Sequence, residues 1–273
     1  MSEKKVALIT GVSSGIGQSI ARQLAQKGFA VFGTSRNPRE VEPMPGVEVL
    51  PLDVRLDESA KACVDAVFAQ VERLDILVNN AGYVLGGAIE EVSIEEAKAQ
   101  FETNFFGAMR MVKAVLQMMR QQRSGQIINI SSLAGLVPAP PFLGIYSASK
   151  YALEAYTEHL WREVKPFNVR VSLVEPGSIK TNLMRNQQNA AKPIGDYDPW
   201  RERAFEASRQ YEGKAPEPTL VADCVVRIVE SKSPKLRNRV GKDATWVPRL
   251  RKILPEAQFE KGIRKTFHLD VEK

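Results

Sequence analysis

The chain has 273 residues, 44% of them hydrophobic and 26% charged, the composition of an ordinary soluble globular protein with room for one large α/β domain. No run of about 18 apolar residues occurs, which excludes a membrane-spanning helix. The net charge of +6 is concentrated: residues 231–273 hold 12 Lys and Arg against 5 Asp and Glu, so the remainder is near neutral, which argues against a general nucleic-acid surface and for a local basic patch.

Taken in order, Lys5–Thr10 is a short β-branched apolar run followed by a glycine-rich turn. It is too short for a signal-peptide core. From Ile16 to Lys27, Ile16, Ile20 and Leu24 recur at helical spacing, and Gly28 ends the helix. Ala30–Thr34 and Val47–Leu50 read as strands. Asp57–Glu72 reads as a helix with Asp57 as its cap and Ala60, Val64, Val67 and Val71 inward. Leu74–Val78 is a fourth strand, Ile94–Gln122 a long helix, Gln126–Ile130 a fifth strand, Tyr146–Val164 a helix closed by Pro166, and Val169–Val174 a sixth strand. Residues 178–217 read as irregular and rich in Pro, Gly and aromatics; Thr219–Ser231 returns to helical spacing. The tail holds a short apolar element around Val240 and an amphipathic piece, Trp246–Leu254.

These strands lack polar alternation, so they are expected to be buried on both faces of a parallel sheet covered by helices. The right-handed crossover rule then makes this a doubly wound α/β fold. One domain over 1–273 is expected, with 178–217 as a lid region and 232–273 as a basic extension. Cys63 and Cys224 lie far apart, and His159 and His268 are the only histidines. Reduced thiols, no metal site and a cytoplasmic location are therefore expected.

Three groups of residues carry chemistry. Thr10-Gly11-Val12-Ser13-Ser14-Gly15-Ile16-Gly17 stands between the first strand and the first helix, where a glycine turn lets backbone approach a pyrophosphate at a helix N-terminus. Tyr146 and Lys150 are four residues apart on one helix face. A confined ammonium beside a phenol favours the phenolate, pulling the tyrosine toward a working pKa for proton transfer to a carbonyl or from an alcohol. Ser35 and Arg36 follow the second strand with no acid between them. An acid there would bind a ribose 2′-hydroxyl, whereas an arginine pairs with a 2′-phosphate, so NADP(H) is expected over NAD(H).

Two other patterns compete. Gly11–Gly15 also fits the G-x-S-x-G of serine hydrolases, and Ser147–Lys150 fits S-x-x-K. The first needs an acid and a histidine in suitable places, and His159 lies mid-helix and His268 near the C-terminus. The second lacks its S-D-N and K-T-G partners.

In order along the chain stand TGVSSGIG at 10–17, Asp53, NNAG at 79–82, Asn104 in TNFFG, INISSLAG at 128–135, YSASK at 146–150 and PGSIKT at 176–181. From Lys5 to Thr181 the chain resembles the short-chain dehydrogenase/reductase family, and within it the 17β-hydroxysteroid and retinol dehydrogenase-like branch. The resemblance implies a Rossmann fold and reversible hydride transfer at a carbonyl or alcohol carbon, with carbonyl reduction the expected direction. It implies that Gly11, Ser13, Ser14, Gly15, Ile16 and Gly17 hold the pyrophosphate, Asp53 and Val54 the adenine, and Asn80, Ala81 and Gly82 the adenosine ribose. Pro176, Gly177, Ile179 and Thr181 hold the nicotinamide. Tyr146 is the acid or base, Lys150 tunes it and binds the nicotinamide ribose, Ser132 orients the substrate oxygen, and Asn104 bends its helix and holds a water near Lys150.

Ser132 and Tyr146 are one residue further apart than is commonest in the family, which the resemblance assigns to the loop Val137-Pro138-Ala139-Pro140-Pro141. Leu133, Leu136, Val137, Phe142, Leu143, Met184, Tyr197, Trp200 and Phe205 suggest an apolar ketone, aldehyde or alcohol as the small-molecule substrate; ordinary core packing is the alternative. A homodimer or homotetramer through helices 94–122 and 146–164 is implied. Two alternatives stay open: an NADP(H)-binding sensor or scaffold without turnover, and a tail that touches anionic membranes through Trp246, Leu250, Ile253 and Leu254.

Overall fold

The computed structural model describes residues 4–138 and 140–270. Ala139, in the middle of the expected proline loop, lies outside the described residues. Seven strands form one parallel sheet: β1 (Val6–Ile9), β2 (Ala30–Ser35), β3 (Val47–Pro51), β4 (Ile76–Asn79), β6 (Gly125–Ile130), β7 (Val169–Pro176) and β9 (Arg237–Val240). Their order is β3-β2-β1-β4-β6-β7-β9. Two short strands, β5 (Leu85–Gly86) and β8 (Gln188–Asn189), pair separately.

Every residue of β1, β4 and β6 is buried, which is why these strands show no alternation: both faces are covered. Helices α1 (Gly15–Gln26) and α7 (Thr219–Glu230) supply Ile20, Leu24, Val221 and Val225 to one face. Helices α2 (Asp57–Phe68), α4 (Gly107–Gln122) and α5 (Gly144–Val164) supply Val64, Val67, Met111, Met119 and Leu160 to the other. The chain runs outward from β1 to β3 and then returns to β4 beside β1. That reversal leaves a crevice beyond the carboxyl ends of β1 and β4, where such sheets bind ligands.

Four expectations change. Asp57 does not cap α2; Leu56 occupies that position, and the Asp57 carboxylate pairs with Arg110 of α4. α2 also stops at Phe68, because the chain tightens into a turn at Gln70, whose N–H reaches the Val67 carbonyl at 3.0 Å. The expected helix at 94–122 is interrupted: α3 (Ile94–Phe101) and α4 flank a π-helical segment, Glu102–Phe106. Residues 178–217 are not irregular throughout, since they contain β8 and α6 (Asp198–Gly213). Seven charged side chains in that helix hide its apolar face, Ala204, Phe205 and Ala207. In the tail, α8 (Lys242–Ile253) and α9 (Glu256–Thr266) form two helices, and α8 tolerates Pro248.

Among the described residues no helix is long and apolar enough to cross a membrane. Trp246, Leu250 and Ile253 of α8 are exposed. Leu77→Ala, in a fully buried site on β4, is expected to lower stability by about 2–5 kcal/mol. Ile253→Ala, 78% exposed, should stay within about 0.5 kcal/mol. Urea denaturation of both variants checks the contrast.

Candidate active site

At the crevice, Thr10 is buried and its hydroxyl accepts the N–H groups of Asn80 at 2.9 Å and Ala81 at 3.0 Å. The Asn80 amide returns two bonds, to the carbonyls of Thr10 at 3.0 Å and Gly11 at 2.8 Å. Gly11 and Gly15 adopt φ of +73° and +60°, a region that side chains disfavour. A Cβ on Gly17 would run into the Gly11 carbonyl and the Asn80 amide. The turn therefore lies flat against the end of β4. Ser13 and Ser14 are exposed, Ser14 does not spend its hydroxyl on capping, and the first turn of α1 carries no acid. A pyrophosphate fits this arrangement: free helix N–H groups, two unused hydroxyls and no like charge.

Arg36 is exposed at the end of β2. Asp53 is gripped by Arg55 at 2.5 Å, which holds its carboxyl below the usual value, and Arg36 adds to that pull. Two guanidiniums therefore flank Asp53. Both carboxylate oxygens are already on Arg55: Oδ1 accepts its backbone N–H and Nε–H, and Oδ2 accepts Nε–H and a terminal guanidinium N–H, so an adenine amine reaching Asp53 competes with Arg55 for its lone pairs. Val54 is buried against Gly107 of α4.

Past β6, the two serines diverge as strand geometry requires. Ser131 is buried, and Ser132 stays half-exposed and faces Tyr146. Its hydroxyl accepts the Ala134 N–H at 3.1 Å and also engages the Tyr146 phenol. Lys150 donates to the Ile130 carbonyl at 2.9 Å, and its Nζ stands 5.9 Å from the Tyr146 ring centroid. The expected depression of the phenol by Lys150 is not found. Burial pushes Tyr146 up, and the Ser132 hydrogen bond opposes this. Burial lowers Lys150 itself to about 8, and its nitrogen is turned to a backbone carbonyl. Asn104 lies within the π segment. Its amide donates to the Tyr83 carbonyl at 3.0 Å and the Ser149 hydroxyl at 3.2 Å, and its oxygen accepts the Tyr83 N–H at 3.1 Å. A Cβ on Gly82 would lie 3.1 Å from that oxygen.

After β7, Gly177 sits against Asp243, whose carboxylate accepts the Ser178 N–H at 2.6 Å. Ile179 is buried. Thr181 lies across from the glycine turn: a Cβ on Gly15 would be 3.5 Å from its methyl. Phe205 of α6, Leu143, Val84 and Ala134 pack with Tyr146, and Phe142 and Met184 join them. Tyr197 packs edge-on to Phe142, whereas Trp200 stacks with Arg203.

The family model for short chain dehydrogenase matches residues 5–192. The chain belongs to the short-chain dehydrogenase family. Its members are oxidoreductases. This short-chain dehydrogenase is 38% identical over 257 residues to the 3-ketodihydrosphingosine reductase of Bacteroides thetaiotaomicron, covering 90% of this chain and 94% of that one. It is 37% identical to retinol dehydrogenase 8 of Bos taurus, covering 87% and 81%. A short-chain dehydrogenase from Streptomyces avermitilis superposes with a TM-score of 0.82 at 31% identity, over 99% and 100% of the two chains. Two further solved structures carry dinucleotides. A Burkholderia phymatum member holds NAD (TM-score 0.78, 25% identity, 92% and 93% covered), and ElxO holds NADP (0.73, 25%, 89% and 100%).

Several residues of this short-chain dehydrogenase's site escaped the sequence reading. Arg55 was visible two places after Asp53, and only the fold turns it back onto that carboxylate. Phe142 was expected in the apolar wall, but its φ of +61°, a strained value for a bulky residue, has no sequence signal. Glu154 lies one helical turn beyond Lys150 and is buried. Arg237 of β9 pairs with it at 2.5 Å and also holds Glu158 and Glu175. A spacing of four from Lys150 was the available signal.

Burial pushes the Glu154 carboxyl from 4.5 up to about 7, with Glu175 adding to the rise and Ser131 and Arg237 opposing it. A folded-state pKa above the unfolded one stabilises the protein fully below the unfolded value, and that contribution is lost as pH rises through the folded value. Glu154→Gln removes this titration. Its stability relative to wild type, read from urea midpoints, is expected to improve from about pH 5 to about pH 8.

Proposed function

We propose that this oxidoreductase uses NADP(H) to reduce an apolar ketone or aldehyde to an alcohol, or the reverse. The observation that carries the reading is the convergence of Ser132, Tyr146 and Lys150 beside the glycine turn at the β1–β4 crevice. Gly11, Ser13, Ser14, Gly15, Ile16 and Gly17 hold the pyrophosphate. Asp53 and Val54 bound the adenine, while Asn80, Ala81 and Gly82 bound its ribose. Pro176, Gly177, Ile179 and Thr181 hold the nicotinamide end. Arg36 takes a 2′-phosphate, with Arg55 beside it.

When bound, the dinucleotide supplies or accepts the hydride at the substrate carbon. The chain's own work is on the substrate oxygen. Ser132 orients that oxygen by hydrogen bonding, and Tyr146 gives its phenolic proton to the oxygen in reduction, or takes a proton from it in oxidation. A phenol raised by burial holds its proton in the free protein and is a donor in the reductive direction. Lys150, its nitrogen held on the Ile130 carbonyl, binds the nicotinamide ribose. Asn104 anchors the loop after β4 to α5, keeping Gly82 and Ser149 in place.

Residues 178–217 act as a lid. Phe205, Phe142, Leu143, Met184 and Val84 form apolar walls around Tyr146, which suit a long hydrocarbon substrate. The names of the relatives from Bacteroides and Bos taurus fit that class. Exposed Phe106 and Tyr151, beside and on the long helices, suit a homodimer or homotetramer interface.

Tyr146→Phe is expected to lower NADPH-dependent turnover of apolar ketones and aldehydes by about 10²–10⁴-fold while NADPH binding persists. Retained turnover would remove Tyr146 from its role. Arg36→Ala should weaken NADPH binding by about ten- to a hundredfold, the worth of a hydrogen bond to a charged group, and leave NADH nearly unchanged. Fluorescence titration with both dinucleotides measures it.

A further inference from the structure

Thr181 does not present an unconstrained hydroxyl. Its Oγ1 donates to Glu212 Oε1 at 2.8 Å and accepts the Leu183 N–H at 3.1 Å. A hydroxyl has one proton and two lone pairs. With the proton on a carboxylate and one lone pair on the backbone, a single lone pair remains. Toward a ligand, Thr181 can only accept. A ring carboxamide offers an acceptor carbonyl and a donor NH₂, and an acceptor-only partner selects the NH₂.

Glu212 is held in place for this. It is buried, and the same Oε1 takes the Met184 N–H at 3.4 Å, so it grips the 181–184 turn at both ends. It stands on α6 with Phe205 and Ser208, all three buried, at positions that share one helix face. Phe205 packs with Tyr146. One helix therefore carries both a wall of the substrate pocket and the carboxylate that sets the direction of the Thr181 proton.

We infer that Glu212 is a positioning residue: it makes Thr181 an acceptor-only contact for the carboxamide N–H of the nicotinamide, and so ties helix α6 to dinucleotide binding. This rests on the reading of Thr181 proposed above. The competing role is a brace that keeps the 181–184 turn folded and has no preference for the chemistry of the ligand.

An analogue separates the two. In the 3-acetylpyridine form of NADP⁺, an acetyl group replaces the carboxamide, so the carbonyl stays and both N–H donors are gone. Dissociation constants for NADP⁺ and this analogue are measured by titration calorimetry, without any substrate, on the full chain. Wild type is expected to favour NADP⁺ by about five- to tenfold, the worth of one hydrogen bond. Glu212→Leu, and Glu212→Ala should the leucine variant fail to fold, are expected to lose that preference by weakening NADP⁺ while the analogue stays within about twofold. Equal weakening of both ligands, or of neither, overturns the proposal in favour of a brace. Thr181→Val is run beside them. If it leaves the preference intact, the reading of Thr181 fails and the proposal with it. If it removes the preference while the Glu212 variants keep it, only the role of Glu212 is overturned.

Discussion

The site depends on a cross-link between β1 and β4 made by two polar side chains. The Thr10 hydroxyl and the Asn80 amide make four hydrogen bonds between Thr10-Gly11 and Asn80-Ala81 at the carboxyl ends of these strands. Neighbouring parallel strands pair through their backbones only as far as the sheet extends. Beyond that edge, side chains must hold the chain together. Here they fasten the glycine turn to the loop that carries Ala81 and Gly82. Gly11 and Gly17 leave out the atoms that would keep the two segments apart. Without this contact the N-terminus of α1 would have no defined distance from Asn104, Thr181 or α5.

The other strand ends are fastened by similar means but with charge. Lys150, Glu154, Glu175 and Arg237 lie behind Ser131, just past β6, and Glu154 and Glu175 are almost fully enclosed. Burial of an ionic group is unfavourable unless it is paired. Burial is the main reason the Glu154 carboxyl is pushed toward neutrality, with the neighbouring Glu175 adding to the rise and Arg237 opposing it. The arrangement sets stability against a fixed orientation of α5, the helix on which both Tyr146 and Lys150 stand. Sites that shift pKa values commonly carry such a penalty.

The pattern of burial explains which parts of the fold were legible. Strands with both faces covered are uniformly apolar, so β1, β4 and β6 stood out as runs. Helices α1, α5 and α7 show apolar residues at helical spacing because each packs one face on the sheet. Helix α6 was missed since it packs over a site rather than on the sheet, and its charged outer face outweighs Ala204, Phe205 and Ala207. The π segment at 102–106 was missed because no periodicity distinguishes it from the α-helix on either side. The end of α2 was placed too late, since Val71 continued the spacing after the backbone had already turned.

By itself the sequence determined the order of the sheet strands and of the helices that pack on them, the family, and the identity of the residues that gather at the crevice. Local spacing suffices for that: a glycine turn after a strand, a tyrosine and a lysine one helical turn apart, an arginine after the second strand. Only the tertiary structure decided how those residues are committed. Arg55 is folded back on Asp53, Lys150 is turned to the Ile130 carbonyl, and Thr181 gives its proton to Glu212, 31 positions away. Burial and long-range hydrogen bonds set these states. Both arise between segments distant in the chain, and neither leaves a local pattern to read.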